Sequence, residues 1–461
     1  MSIVKKAVDK LYKSLYDKMN YDTFVKAKMM LLPGFRRVVT QDEAIYQNNF
    51  DQANEMFSFR KNSVSKGIDG VRHFDEITIV FLCQFPGVWN GMESVYQAAK
   101  ETEGIRVYCL ALPEKLMDDN YDVSWEKYGE NEALPFLEKK GIDVIDAGNP
   151  DKGWFDLASL KPNYVFLPRP YNIHLPENYR SYTISAYSRV CYIPYGYDST
   201  IGDSKLSYEF EFMKHVYAAF AENDYYAKQL HHIYKSVHWK NKKIYNLGYP
   251  RFDLYRDYLE KKEQIHSAPD HKKTVLWLPR WTTDDQFEAT TFFDYKDFFV
   301  KYFTKNSDVQ FICRPHPLMF RNFVSSGDMT EEEVAEFKKH FETKNNFILD
   351  SDGDYTKSLE AADVIISDYT SLIIEELLMD VPVIYTGSTK HFGKKAKANA
   401  VGLYQLDSRK DMNKVLTGLL KGVDPMKAIR HEVAKSIYPD EPMTVGQKMV
   451  EALMEDYKEI K

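Results

Sequence analysis

Two arginines, a histidine and a cluster of hydroxyls stand at the ends of three apolar runs in this sequence. The runs are Thr274-Val275-Leu276-Trp277-Leu278-Pro279-Arg280, Val309-Gln310-Phe311-Ile312-Cys313-Arg314-Pro315-His316-Pro317 and Val364-Ile365-Ile366-Ser367-Asp368-Tyr369-Thr370-Ser371. Each begins as a β-branched or aromatic strand suited to burial on both faces. The prolines at 279, 315 and 317 stop the first two strands, so Arg280, Arg314 and His316 fall on loops at the carboxyl ends. In the third, Ser367, Asp368, Thr370 and Ser371 offer N-cap side chains and open backbone N–H groups where an apolar helix containing Glu375 begins. Cations beside an open helix start suit a nucleotide diphosphate. Taken alone, the third segment is equally an ordinary capped helix.

Positioning these groups on one sheet edge requires parallel strands, and the spacing predicts them. Apolar runs at 77–85, 106–112, 143–146, 164–167, 190–194, 215–220 and 243–247 alternate with helical stretches such as 92–100 and 131–140. After a pause at Gly248-Tyr249-Pro250, a second set follows at 274–278, 309–313, 347–349, 364–366, 383–385 and 402–406. Strand–helix alternation of this kind predicts an α/β protein with doubly wound parallel sheets. The domains are read as a basic amphipathic arm at 1–72, a first Rossmann-like lobe at 73–255 and a second at 256–461. The last helix, near 445–457, is expected to cross back and brace the first lobe.

Arg314-Pro315-His316-Pro317, Ile366-Ser367-Asp368-Tyr369-Thr370-Ser371, the segment Leu377-Leu378-Met379-Asp380-Val381-Pro382-Val383-Ile384-Tyr385, and Gly248-Tyr249-Pro250-Arg251 together resemble the CDP-glycerol glycerophosphotransferase family, which includes the teichoic acid primases and polymerases. The resemblance spans about 77–450 and is densest over 245–385. It implies a GT-B fold, two Rossmann-like lobes facing a cleft, with the acceptor in the first lobe and the nucleotide in the second. The implied donor is CDP-glycerol: an acceptor hydroxyl attacks the β-phosphorus and CMP leaves, a reaction governed by alignment and charge neutralisation. In that scheme Arg280, Arg314 and His316 neutralise the diphosphate, and His316, when protonated, can also donate to the leaving oxygen. Ser367, Asp368, Thr370 and Ser371 line the phosphate turn, while Glu375 accepts from the ribose or is simply a solvated first-turn carboxylate.

One departure concerns the base. The family commonly has Trp-His-Gly in its first lobe, its His serving as acceptor base; here Pro194-Tyr195-Gly196-Tyr197-Asp198 stands in that place. A phenol with an ordinary pKa of about 10 is a poor base near neutrality. Asp198 or Glu93 is therefore expected to take the proton in place of Tyr195. Two other readings stay open: a GT-B glycosyltransferase using a nucleotide-sugar, and a non-catalytic homologue that binds nucleotide or polymer.

With 461 residues, 44% hydrophobic and 15% aromatic, the chain can build two full cores. Cys83, Cys109, Cys191 and Cys313 lie in apolar runs without paired spacing, as buried thiols of a reducing compartment would. Asp350-Ser351-Asp352-Gly353-Asp354 lacks the glycine and glutamate spacing of a calcium loop, so no metal and no other cofactor is expected. The net charge of −7 and the absence of a basic–aromatic module speak against nucleic acid. Residues 1–40 differ: nine Lys/Arg against three Asp, with Val4, Val8, Leu11, Leu15 and Met19 at helical spacing. That pattern fits an arm lying on an anionic membrane surface or packing on protein. The expected partners are thus a nucleotide-activated donor, a glycan or lipid-linked acceptor, and a membrane surface. No secretory signal opens the chain, so a cytoplasmic location is expected, with the arm reaching the inner face of the plasma membrane.

Overall fold

The computed structural model describes residues 48–49, 51–53, 55 and 76–459, apart from 118–122, 198–209, 234–241, 285–288, 353–354, 371, 390–391, 393 and 407–408. Apart from residues 48–49, 51–53 and 55, the expected arm lies outside the described residues, as do Asp198 and Ser371. The chain divides into two compact units.

The first unit comprises Met1–Gly196, Asp203–Asp253 and Met443–Lys461. Its strands in chain order begin with β1 (Ile77–Cys83), β2 (Ile105–Ala111), β3 (Lys115–Met117), β4 (Val123–Tyr128) and β5 (Val144–Asp146). They continue with β6 (Gly148–Asn149), β7 (Gly153–Trp154), β8 (Tyr164–Leu167), β9 (Arg189–Tyr192), β10 (Val216–Ala221) and β11 (Lys243–Asn246). Seven of them form one sheet in the order β11-β10-β9-β8-β1-β2-β5, parallel throughout. Every residue of β1 is buried, as a central parallel strand demands. Val80, Leu82, Val165, Leu167, Val190 and Val216 form the heart of its core, each such side chain contributing about 1.5–3 kcal/mol on burial. The sequence reading missed two small antiparallel pairs, β3–β4 and β6–β7.

The terminal helix Val445–Glu459 belongs to this unit and packs on the helix Glu93–Glu101. Asp253 accepts from the N–H groups of Val445 and Gly446 at 2.9 Å each and takes a hydrogen bond from Ser94 Oγ at 2.5 Å, so one carboxylate caps one helix and grips the other. A Cβ on Gly446 would lie 2.4 Å from Ser94 O, which fixes glycine there. Gly248 has φ +100° and abuts Val445, which accounts for the glycine of the Gly-Tyr-Pro-Arg segment.

The second unit, Leu254–Pro442 with Tyr197–Gly202, holds β12 (Thr274–Leu278), β13 (Gln310–Cys313), β14 (Phe347–Leu349), β15 (Val364–Ser367), β16 (Val383–Tyr385) and β17 (Tyr404–Gln405). They form a six-stranded sheet in the order β14-β13-β12-β15-β16-β17, again parallel. The core is aromatic: Trp277 stacks on Phe292 at 5.4 Å and meets Phe299 edge-on, while Phe303 stacks on Phe311 at 4.3 Å. All four cysteines are buried thiols.

Candidate functional site

In an open parallel sheet ligands gather outside the carboxyl ends of the strands, where the strand order reverses direction. In the second unit β13 and β14 lie on one side of β12 and β15 to β17 on the other, so the reversal falls between β12 and β15. The loops leaving these strands and β13 carry the residues singled out from sequence. Backbone bonds hold the loops in register: Arg314 N–H donates to Trp277 O at 2.9 Å, His316 N–H to Pro279 O at 3.2 Å and Asp368 N–H to Leu278 O at 3.3 Å. Arg280, Arg314, His316 and Thr370 therefore share one sheet edge.

Each has its own restraint. Arg280 donates from Nη1 to Tyr369 O at 2.7 Å, its guanidinium 4.5 Å from the Tyr369 ring centre. Arg314 pairs with Asp350 at 2.8 Å and donates to Asp352 O at 2.6 Å. Burial alone would raise the Asp350 pKa, but hydrogen bonds from Ser358, the Asp352 N–H and Arg314 outweigh it and hold the carboxyl below its usual range. The acidic segment that begins at Asp350 thus clamps and aims Arg314. His316 lies near Trp281, ring centres 6.2 Å apart, and its Nδ1 accepts from the Leu318 N–H at 3.2 Å. Burial, then the neighbouring Arg280 charge, push its pKa down to about 4. With Nδ1 accepting the Leu318 hydrogen bond, the neutral ring carries its proton on Nε2.

The turn after β15 is more internal than its sequence suggests. Asp368 is fully buried. Its oxygens accept from Arg280 N–H at 3.0 Å, Thr290 Oγ1 at 2.6 Å, Thr291 N–H at 3.2 Å, Thr386 Oγ1 at 2.7 Å and the Thr291 hydroxyl. It ties three strand-end loops together and positions Arg280. Ser367 is also fully buried, bonded to Glu376 Oε1 at 2.8 Å. The helix starts at Ile373 and runs only to Leu378; Thr370 Oγ1 accepts from the Leu372 N–H just before it. Glu375 is no solvated carboxylate: it is 4% exposed, and its Oε2 accepts from Tyr255 OH at 2.7 Å and Tyr355 OH at 2.5 Å. Sequence reasoning missed Thr290, Thr291, Thr386, Tyr255, Tyr355 and Glu376. Only Thr290-Thr291, at the start of the helix Phe292–Lys305, carried a legible signal, that of a helix cap.

In the first unit, Glu93 opens its helix with both oxygens accepting from Lys140 Nζ, at 2.8 and 2.9 Å. Tyr195 follows β9 and is 39% exposed. A Cβ on Gly91 would approach Pro194 O to 2.8 Å, so close packing of two loops accounts for that glycine.

Residues 207–393, which contain the whole second-unit constellation, match the family model described as CDP-glycerol:poly(glycerophosphate) glycerophosphotransferase. Over this segment the chain is similar to that family. No curated protein sequence matches the chain. Among solved structures, the wall teichoic acid polymerase TagF is similar at 13% identity over 90% of this chain and 98% of that one, with a TM-score of 0.51. A TagF variant soaked with CDPG gives 13% identity, 88% and 94% coverage and a TM-score of 0.50. The UDP-GlcNAc 2-epimerase of Neisseria meningitidis, bound to UDP-GlcNAc, gives 13% identity, 82% and 100% coverage and a TM-score of 0.52. These likenesses establish a GT-B-like α/β fold with two parallel sheets.

The family segment also contains a group with metal-ligand chemistry, at the opposite end of its sheet. His266, His271 and Asp363 lie within ligand distance of one another. The two imidazoles are stacked, 4.6 Å between centres and 23° between planes, and near-parallel rings cannot both point a lone pair at one ion. Asp363 already accepts from His271 at 2.9 Å, Lys273 at 2.7 Å and the Thr274 N–H at 2.8 Å. The group is an ion-paired clamp on the starts of β12 and β15. Among the described residues no helix is long and apolar enough to cross a membrane.

Proposed function

We propose that this chain transfers glycerol phosphate, or a similar polyol phosphate, from a CDP-activated donor to an acceptor hydroxyl during synthesis of a wall or capsule polymer. The observation that carries the reading is the coincidence of two things. The family-matched segment is also the segment whose strand-order reversal gathers Arg280, Arg314, His316 and Thr370. The TagF variant soaked with CDPG supports a nucleotide-activated donor for this fold.

In the proposed reaction the two arginines neutralise the diphosphate, and the neutral His316 donates its Nε2–H to a phosphoryl oxygen. The acceptor oxygen forms a bond to the β-phosphorus, the bond from that phosphorus to the bridging oxygen breaks, and CMP leaves with the electron pair. Asp368 and Asp350 act one step back by fixing Arg280 and Arg314. A carboxylate, Glu93 or Asp198, takes the acceptor proton in preference to the Tyr195 phenol. The basic segment 1–40 holds the protein at an anionic membrane surface, where a lipid-linked acceptor would be presented.

The test is release of CMP from CDP-glycerol in the presence of a polyol-phosphate acceptor, with UDP- and GDP-sugars as competing donors. CMP release dependent on acceptor supports the transferase. UMP or GDP release would replace it with a sugar transferase, and binding without turnover would leave a nucleotide-binding homologue.

A further inference from the structure

The first unit has its own strand-order reversal. With β2 and β5 on one side of β1 and β8 to β11 on the other, it falls between β1 and β8. The loops leaving those strands carry Gln84 and Phe85, and Arg169, Tyr171 and His174. Gln84 Nε2 donates to His174 O at 2.8 Å, which joins the two loops. The Arg169 guanidinium lies 5.1 Å from the Phe85 ring centre and donates from Nη1 to Glu114 Oε1 at 2.6 Å; Glu114 sits on the loop after β2. His174 Nδ1 stands 4.0 Å from the same Glu114 oxygen, beyond hydrogen-bond reach.

Two buried polar atoms here are unfilled. His174 Nδ1 and Arg169 Nε have no hydrogen-bond partner, and His174 is 9% exposed. Buried polar atoms are nearly always paired, so two orphans at one strand-order reversal mark a place shaped for something else. Glu114 is the most exposed of the three, its side chain 38% exposed against 13% for Arg169 and 11% for His174. Burial and the Arg169 charge push the His174 pKa below its usual value, with Glu114 opposing them. The ring is therefore neutral and able to pair with a hydroxyl.

We infer that this carboxyl-end crevice is a second ligand site, which takes a phosphate ester on Arg169 and a neighbouring hydroxyl on His174. The ligand class is a polyol carrying a phosphomonoester or phosphodiester; naming it the end of the acceptor rests on the proposed function above. A phosphate competes with Glu114 for the Arg169 fork. Glu114, released, closes its gap to Nδ1, fixes the proton there and turns Nε2 into the acceptor for the ligand hydroxyl.

The experiment uses the full-length protein with isotope-labelled histidines and glycerol 3-phosphate as probe. The His174 imidazole resonance, identified by its loss in His174→Gln, should move saturably during titration. Arg169→Gln should weaken the titration by about tenfold or more, and Arg169→Lys by less, since it keeps the charge and loses the fork. A His174 signal that stays still, or that titrates identically in Arg169→Gln, overturns the inference. CDP-glycerol binding measured on the same samples judges the transferase reading separately: its absence would remove that reading while the His174 titration still decides the crevice.

Discussion

At His316 the Leu318 N–H occupies Nδ1, so Nε2 carries the ring proton and offers it as a hydrogen bond without a positive charge. Replacing this donor with alanine should lower kcat by about 100- to 1000-fold with the fold intact; retention of more than half the activity would make His316 structural. With its pKa near 4, the imidazole should titrate well below the ordinary 6.5 in the absence of donor, and a bound diphosphate should raise that midpoint. The stability consequence has a definite sign. The folded pKa lies below the unfolded one, so the unfolded chain binds the extra proton and stability falls as pH drops from about 6.5 towards 4. Glu376 behaves oppositely. Its complete burial, aided by Glu375 and Asp368 and opposed by Ser367, pushes its pKa up to about 8. The native state then holds a proton that the unfolded chain releases above about 4.5, so stability falls as pH rises to 8, by about 1.4 kcal/mol per unit. Glu376→Gln should flatten the dependence of thermal unfolding on pH in that window; an unchanged slope would show the carboxyl is already ionised.

The terminal helix Val445–Glu459 shows how one element is secured at both ends. At its start Asp253 caps two N–H groups; near its end Asp456, 2% exposed, pairs with Arg189 at 2.5 Å and Lys243 at 2.8 Å and accepts from Tyr164 and Tyr217 hydroxyls at 2.6 Å each. Burial raises the Asp456 pKa, but these partners outweigh it and lower the value. The network therefore contributes stability above the usual carboxyl range and loses it as pH falls through the depressed pKa. Asp456→Asn leaves Arg189 buried without its counter-charge and should destabilise the first unit by about 3–5 kcal/mol. Denaturant melts followed by tryptophan fluorescence, to which Trp89 and Trp154 of the first unit contribute, would record this, and a midpoint shift within error would refute the network's importance.

For the whole molecule, the charge distribution sets a further expectation. A net −7 chain that concentrates nine basic residues in its first forty is repelled by anionic bilayers except through that segment. Full-length protein should pellet with phosphatidylserine-containing vesicles at low salt and be released as salt rises. Removal of residues 1–40 should abolish pelleting and leave turnover of a soluble acceptor intact. Equal pelleting of both forms would place membrane affinity elsewhere, and no pelleting of either would return the segment to packing on protein.

The sequence by itself determined the fold class. All thirteen strands of the two large sheets overlap the apolar runs of the sequence, and those covered on both faces, such as β1 and β15, leave a near-continuous apolar signal. The pairs β3–β4 and β6–β7 left none: three-residue and two-residue strands are too short for a period to register. The sequence also determined that Arg280, Arg314 and His316 end their strands, since proline cannot continue a ladder. Only the tertiary structure decided what surrounds them. Asp368 and Ser367 have the look of ligand-facing residues, yet they are buried by Thr290, Thr291, Thr386 and Glu376, residues 9 to 78 positions away. Glu375 has a helix-start position that suggests solvent, yet two tyrosines cover it. Arg169, Glu114 and His174 carry no shared motif and meet only because β1, β2 and β8 are neighbours. Strand endings are written locally, in short-range sterics and hydrophobic period. Burial, proton affinity and pairing depend on which distant segments the sheet order brings together.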